Sequence, residues 1–207
     1  MSSKAYFDQV AAEWDTMRQA FFSEGVREKA YAVAGIEAGQ LAADIGAGTG
    51  FLTEGLLQRG LHVIAVDPSE AMLAEMRNKF AGLDGLDCRV GAAERLPIPD
   101  SAVDYVFGNM VLHHVEEPPA AIREMVRTLK PGGRLVLTDL DEHSFEFLRT
   151  EQHDRWPGFQ REDVRQWLLD AGLKQVLVDC VGETCCAASE SSDAVASVSI
   201  FVASGEL

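Results

Sequence analysis

Three glycines at alternate positions, Gly46, Gly48 and Gly50, stand in the run Ala43-Asp44-Ile45-Gly46-Ala47-Gly48-Thr49-Gly50. Glycines in such a loop let the backbone approach a ligand closely and adopt dihedral angles barred to other residues. The spacing is G-x-G-x-G, and Phe51 stands where a dinucleotide-binding loop wants its third small residue. That argues against a pyrophosphate site. The carboxylate of Asp44 points the same way, because an acid beside the loop suits a cationic or amino-bearing ligand. A second carboxylate, Asp67, closes Val63-Ile64-Ala65-Val66-Asp67. An acid there can accept both hydroxyls of a ribose. The bland alternative is a tight turn through Asp67 and Pro68 into a helix capped by Ser69. Loop and acid together favour a ligand site.

Groups able to take a proton come later in the chain. His113 and His114 end the stretch Gly108-Asn109-Met110-Val111-Leu112-His113-His114, and Asp139, Asp141 and His143 follow the next apolar run. Histidine is the usual general base, and His114, His143 and Asp141 are the leading candidates. The adjacent thiols Cys185 and Cys186 fall just past a sixth strand that should run parallel to the first five, on the same edge as His143. Paired thiols suit soft metals and metalloids. No standard zinc spacing is present, so filling of a loop is the plainer reading and no resident metal is expected.

These residues need a scaffold, and the hydrophobic pattern supplies one. Phe7, Val10, Ala11 and Trp14, extended by Met17 and Phe21, form the stripe of one amphipathic helix, followed by a second over about 24–33. From Leu41 onward short apolar runs alternate with helical patterns: LAADI, HVIAVD, LDCRV, VDYVFG, RLVLTDL, KQVLVDCV and SVSIFVAS. Such strands read as buried on both faces, as in a mainly parallel sheet between helical layers. The last two runs have no helix between them, which predicts an antiparallel pair. The expected architecture is α/β, a Rossmann-like three-layer sandwich whose seven-stranded, mostly parallel sheet ends in an antiparallel strand. Residues 1–38 form a helical extension or lid, and 39–207 the main domain.

With 207 residues, one domain is the natural expectation. A net charge of −15 disfavours nucleic acid and anionic membrane surfaces as partners. No apolar run approaches a membrane span, no leader is read at the start, and four cysteines are too few for a disulfide framework. A cytoplasmic monomer or homodimer is the simplest expectation.

The motifs ADIGAGTG at 43–50, VIAVDPSEAML at 63–73, GAAERLPIPDSAVDYVF at 91–107, NMVLHHV at 109–115 and LKPGGRLVLTD at 129–139 occur in this order. On them the chain resembles the class I S-adenosylmethionine-dependent methyltransferases, especially the small-molecule branch with ubiquinone/menaquinone-type and arsenite-type enzymes. The resemblance implies S-adenosylmethionine as cofactor, S-adenosylhomocysteine as product and a small-molecule acceptor. Carried over, the backbone of Gly46, Gly48 and Gly50 would meet the methionine part, with Asp44 near its ammonium and Ala47 also at the cofactor. Asp67 would hold the ribose, Pro68 would also meet the cofactor, Met72 would lie by the adenine, and Ala93 and Glu94 would line its pocket. Asn109 would offer its carbonyl to the amino group, with His114 beside the cofactor, and Tyr6 and Trp14 would belong to the lid. Ala92 stands where the family commonly has Asp, so one adenine contact is missing. Two other readings stay open: a metalloid or thiol methyltransferase using Cys185 and Cys186, and a non-catalytic cofactor-binding protein on the same scaffold.

Overall fold

The computed structural model describes residues 3–189 and 191–207. Seven strands form one sheet in the order β3-β2-β1-β4-β5-β7-β6. They are β1 (Leu41–Ile45), β2 (His62–Asp67), β3 (Leu86–Val90), β4 (Val103–Asn109), β5 (Leu129–Leu140), β6 (Lys174–Ala188) and β7 (Val195–Glu206). β1 to β5 pair in parallel, and β7 inserts antiparallel between β5 and β6. The predicted α/β class, strand count and antiparallel pair are all present.

Helices cover both faces. α3 (Gly25–Ala34), α4 (Phe51–Gln58) and α5 (Glu70–Lys79) bury Val26, Tyr31, Leu56 and Met76 in the core cluster that takes Phe107 and Val136 from the sheet. α6 (Pro118–Thr128) and α8 (Arg161–Asp170) cover the other face, where Ile122, Met125, Val164 and Leu168 meet Leu135 and Leu137. The alternation of Leu135, Val136 and Leu137 between clusters is the period-two rule of a strand buried on both sides. Local signals set the helix starts. Proline begins α6, where its missing N–H costs nothing. Ser69 caps α5, its Oγ accepting the Met72 N–H at 3.1 Å.

Three local features depart from the sequence reading. The single N-terminal helix is two, α1 (Ser3–Val10) and α2 (Trp14–Phe21), joined by a turn over 11–13. That break lets two acids dock separately: Asp8 on Ser69 Oγ at 2.6 Å and Asp15 on Thr49 Oγ1 at 2.5 Å. Next, β6 does not stop before Cys185 and Cys186 but runs through them to Ala188. The register shifts between Cys180 and Thr184, where Gly182 adopts φ +91°, and pairing with β7 then resumes. Finally, a short α7 (Glu146–Glu151) and a 3-10 turn over Leu112–His114 were not foreseen.

The strand order reverses between β1 and β4, and there the carboxyl ends of the parallel strands open a crevice, the usual ligand position in such sheets.

Candidate active site

A cavity of about 360 Å3 occupies that crevice. It is lined by Gly46, Ala47, Gly48, Asp67, Pro68, Met72, Ala93, Glu94, Asn109 and His114, and closed by Tyr6 and Trp14 from the N-terminal helices. Its size is that of an ordinary small-molecule site.

The glycine loop hangs from β2, because the Gly46 and Ala47 N–H groups both donate to the Val66 carbonyl. Gly46 adopts φ +68°, and a Cβ there would come within 2.4 Å of Val111. Gly48 adopts φ +54° and faces the Trp14 indole, so a Cβ would take up cavity space. Gly50 serves another purpose. Its missing Cβ makes room for Phe80, 2.5 Å from where that atom would sit, and Gly50 is absent from the cavity wall.

Asp67 is 7% exposed at the cavity wall. Its Oδ2 accepts the Gly48 N–H at 2.9 Å and its Oδ1 the Ser69 N–H at 2.8 Å. Burial pushes its carboxyl up to about 6, partly opposed by these backbone bonds. Asp44 departs from the expected role near an ammonium. It lies beneath the loop, outside the cavity wall, and one oxygen accepts both the N–H (3.0 Å) and the Oγ1–H (2.7 Å) of Thr53. Burial lifts its carboxyl to about 7, against those two bonds, with the charge of Asp67 adding to the rise. Its visible work is to lock the start of α4 to β1.

The proposed bases separate. Of the three leading candidates, His114, His143 and Asp141, His114 alone lines the cavity. Asp141 is bound through both oxygens to Arg161 (2.7 and 2.6 Å) and also accepts from Ser199, an arrangement that holds its carboxyl below the usual range. His143 accepts the Phe145 N–H at Nδ1 and does not line the cavity. The two thiols also separate, since neighbours on a strand face opposite ways. Cys185 lines the cavity, with burial pushing its thiol up to about 12, while Cys186 is exposed on the other face.

Asp154 and Arg18 at the cavity escaped the sequence reading, and His113, named there only among the wider set of bases, joins them in the wall. His113 is buried, its Nδ1 2.6 Å from Asp139 Oδ1 and its Nε2 3.7 Å from Asp154. Burial works against its charge, but Asp139 and Asp154 outweigh that and raise it to about 9. His114 moves the other way, held well below the ordinary value by burial and by the charge on His113. Asp154 comes from the loop after α7, and burial pushes its carboxyl up to about 6. Arg18 of α2 is 7% exposed, stacks 4.1 Å from the Phe51 ring centroid and reaches the cavity. Its Nη2 contacts Glu24 at 3.3 Å, whereas Nε and Nη1 are buried without partners. Position 18 lies one helical turn after Trp14 on the same face, a spacing that could have flagged it.

Residues 43–137 match the family model described as methyltransferase domain. The chain is 34% identical to a demethylmenaquinone methyltransferase of Renibacterium salmoninarum, over 83% of this chain and 84% of that protein. It is 35% identical to a biotin biosynthesis bifunctional protein of Cellvibrio japonicus over 84% of this chain, but spans only 34% of that protein. Among solved structures, an S-adenosylmethionine-dependent methyltransferase from Aquifex aeolicus superposes with a TM-score of 0.69 at 21% identity, over 96% of this chain and 97% of that one. The chain belongs to the class I S-adenosylmethionine-dependent methyltransferase family.

Proposed function

We propose that the protein transfers the methyl group of S-adenosylmethionine to a small-molecule acceptor bound in the same cavity. One observation carries this reading: Asp67 and Arg18 present opposite charges to a single apolar cavity at the sheet's switch point. The unpartnered Nε and Nη1 of Arg18 fit the carboxylate of an amino acid. The Asp67 carboxylate, already steadied by two backbone N–H groups, has lone pairs left for a ribose diol. Met72 and Ala93 offer an apolar slot for a flat base, with Glu94 and Asn109 at its edge.

The donor supplies a methyl group on a positively charged sulfur, open to in-line attack. What this chain adds is alignment and exclusion of water. Phe7 packs edge-on against both Trp14 (5.2 Å) and His114 (5.1 Å), tying the lid to the acceptor side. His113, His114 and Asp154 wall that side and give polar anchors to an acceptor. The relative named for demethylmenaquinone supports a small-molecule acceptor, as does the chain's net charge of −15, which disfavours nucleic acid. Among the described residues no helix is long and apolar enough to cross a membrane.

Incubating the protein with S-adenosylmethionine and a panel of small hydroxy, amino and thiol compounds, and measuring S-adenosylhomocysteine, tests the reading. Release that depends on one acceptor class and falls with Asp67→Ala supports it. Tight cofactor binding with no release from any acceptor supports a non-catalytic binding protein instead.

A further inference from the structure

We infer that His113, His114 and Asp154 form a three-ligand site for one divalent first-row transition-metal ion in the cavity wall. One potential ligand atom from each residue lies within 4.8 Å of the others. His113 Nε2 is 3.7 Å and His114 Nδ1 4.0 Å from Asp154 Oδ1. Both separations are shorter than about 4.2 Å, twice an imidazole–metal bond of about 2.1 Å. An ion between each ring and the carboxylate fits these separations, and binding all three requires the two rings, within 4.8 Å of each other, to close on it.

The surroundings are those of a ligand set. His114 Nδ1 is buried and has no hydrogen-bond partner. His113 Nδ1 is paired with Asp139 Oδ1, which leaves Nε2 directed toward Asp154. A carboxylate behind a histidine in this way fixes the tautomer and aim of a metal-binding ring. Asp139 is itself held by the N–H groups of Leu112 and Leu140. The Arg155 and Trp156 N–H groups both donate to the His113 carbonyl, so the loop carrying Asp154 is fastened to the turn carrying both rings.

Two imidazoles and one carboxylate favour Fe2+, Co2+ or Zn2+ over Mg2+ or Ca2+, which prefer all-oxygen sites. Ligands from one side leave coordination positions open to the cavity. That an acceptor oxygen takes an open position rests on the proposed transferase function; binding of the ion does not. Cys185, on the same cavity wall, stands outside the ligand set and serves as a control.

The test is a Co2+ titration of chelator-stripped protein, followed by visible absorption and calorimetry. The wild type should bind one equivalent, showing ligand-field bands without an intense thiolate charge-transfer band. His114→Ala and Asp154→Asn should each weaken binding at least about tenfold, as loss of even an outer ligand partner does. Circular dichroism identifies variants that remain folded, and His113→Gln replaces any that does not. No saturable binding by the wild type, or folded variants binding as tightly as it does, would overturn the site. Loss of binding in Cys185→Ser would overturn this ligand set. S-adenosylhomocysteine calorimetry on the same stripped protein is a separate readout: its failure would remove the transferase reading while leaving the metal result intact.

Discussion

Asp67 Oδ2 accepts the N–H of Gly48 at 2.9 Å, so the acid proposed to hold the ribose also sets the conformation of the glycine loop. Asp67→Ala should therefore weaken S-adenosylhomocysteine binding by about 1–3 kcal/mol, the cost of losing hydrogen bonds to a charged acceptor. Asp67→Asn keeps a carbonyl oxygen for one N–H and should lose less. Calorimetry that ranks the two variants the other way would show that the loop, not the ribose, depends on the charge.

The same carboxyl sets a pH dependence. Burial pushes Asp67 up to about 6, so below that pH it is protonated and a poorer acceptor for two hydroxyls. Affinity for S-adenosylhomocysteine should fall as pH drops from 7 to 5, and binding near pH 6 should release protons. Flat affinity across that range in the wild type would contradict this assignment.

Asp44 predicts a stability effect of defined sign. Burial lifts its carboxyl to about 7, well above the ordinary carboxylate value, so the fold favours the protonated form. Its contribution is complete below the unfolded value and is lost as pH rises toward 7. Both Thr53 bonds go to one oxygen, which Asn can supply. Asp44→Asn should thus gain on the wild type between pH 5 and 8 in urea denaturation, and a difference that ignores pH would refute the account.

The glycine loop and Asp67 were legible because close approach and a strand-end acid leave local signatures. Asp154 was not. It meets His113 only because Arg155 and Trp156 pin their loop to the His113 carbonyl, a contact across 42 and 43 residues that no local pattern carries. The cysteines misled for a related reason: the apolar run KQVLVDCV stops short of them, yet pairing with β7 resumes beyond Gly182, and strand alternation then turns the two thiols apart. The stripe from Phe7 to Phe21 correctly marked helix but hid its break, since no Gly or Pro interrupts it and docking of Asp8 and Asp15 accompanies the turn.

The lid bonds predict a kinetic effect. Asp15 joins α2 to Thr49 of the glycine loop and to Lys79 at 2.9 Å. Partly exposed polar pairs are worth about 1 kcal/mol or less. Asp15→Ala should accordingly speed S-adenosylhomocysteine release severalfold with little change in melting temperature, as read by stopped-flow fluorescence of Trp14 beside Gly48. An unchanged release rate would mean these helices pack without gating.

In the proposed complex one cavity holds the amino acid end of the cofactor on Arg18 and its ribose on Asp67. Calorimetry of Arg18→Ala and Asp67→Ala with S-adenosylhomocysteine and with 5′-methylthioadenosine, which lacks the amino acid carboxylate, tests it directly. Arg18→Ala should weaken only the first compound, Asp67→Ala should weaken both, and NAD should not bind the wild type. Binding of NAD with no response to either sulfur compound, or an Arg18→Ala loss equal for the two, would contradict the assignment.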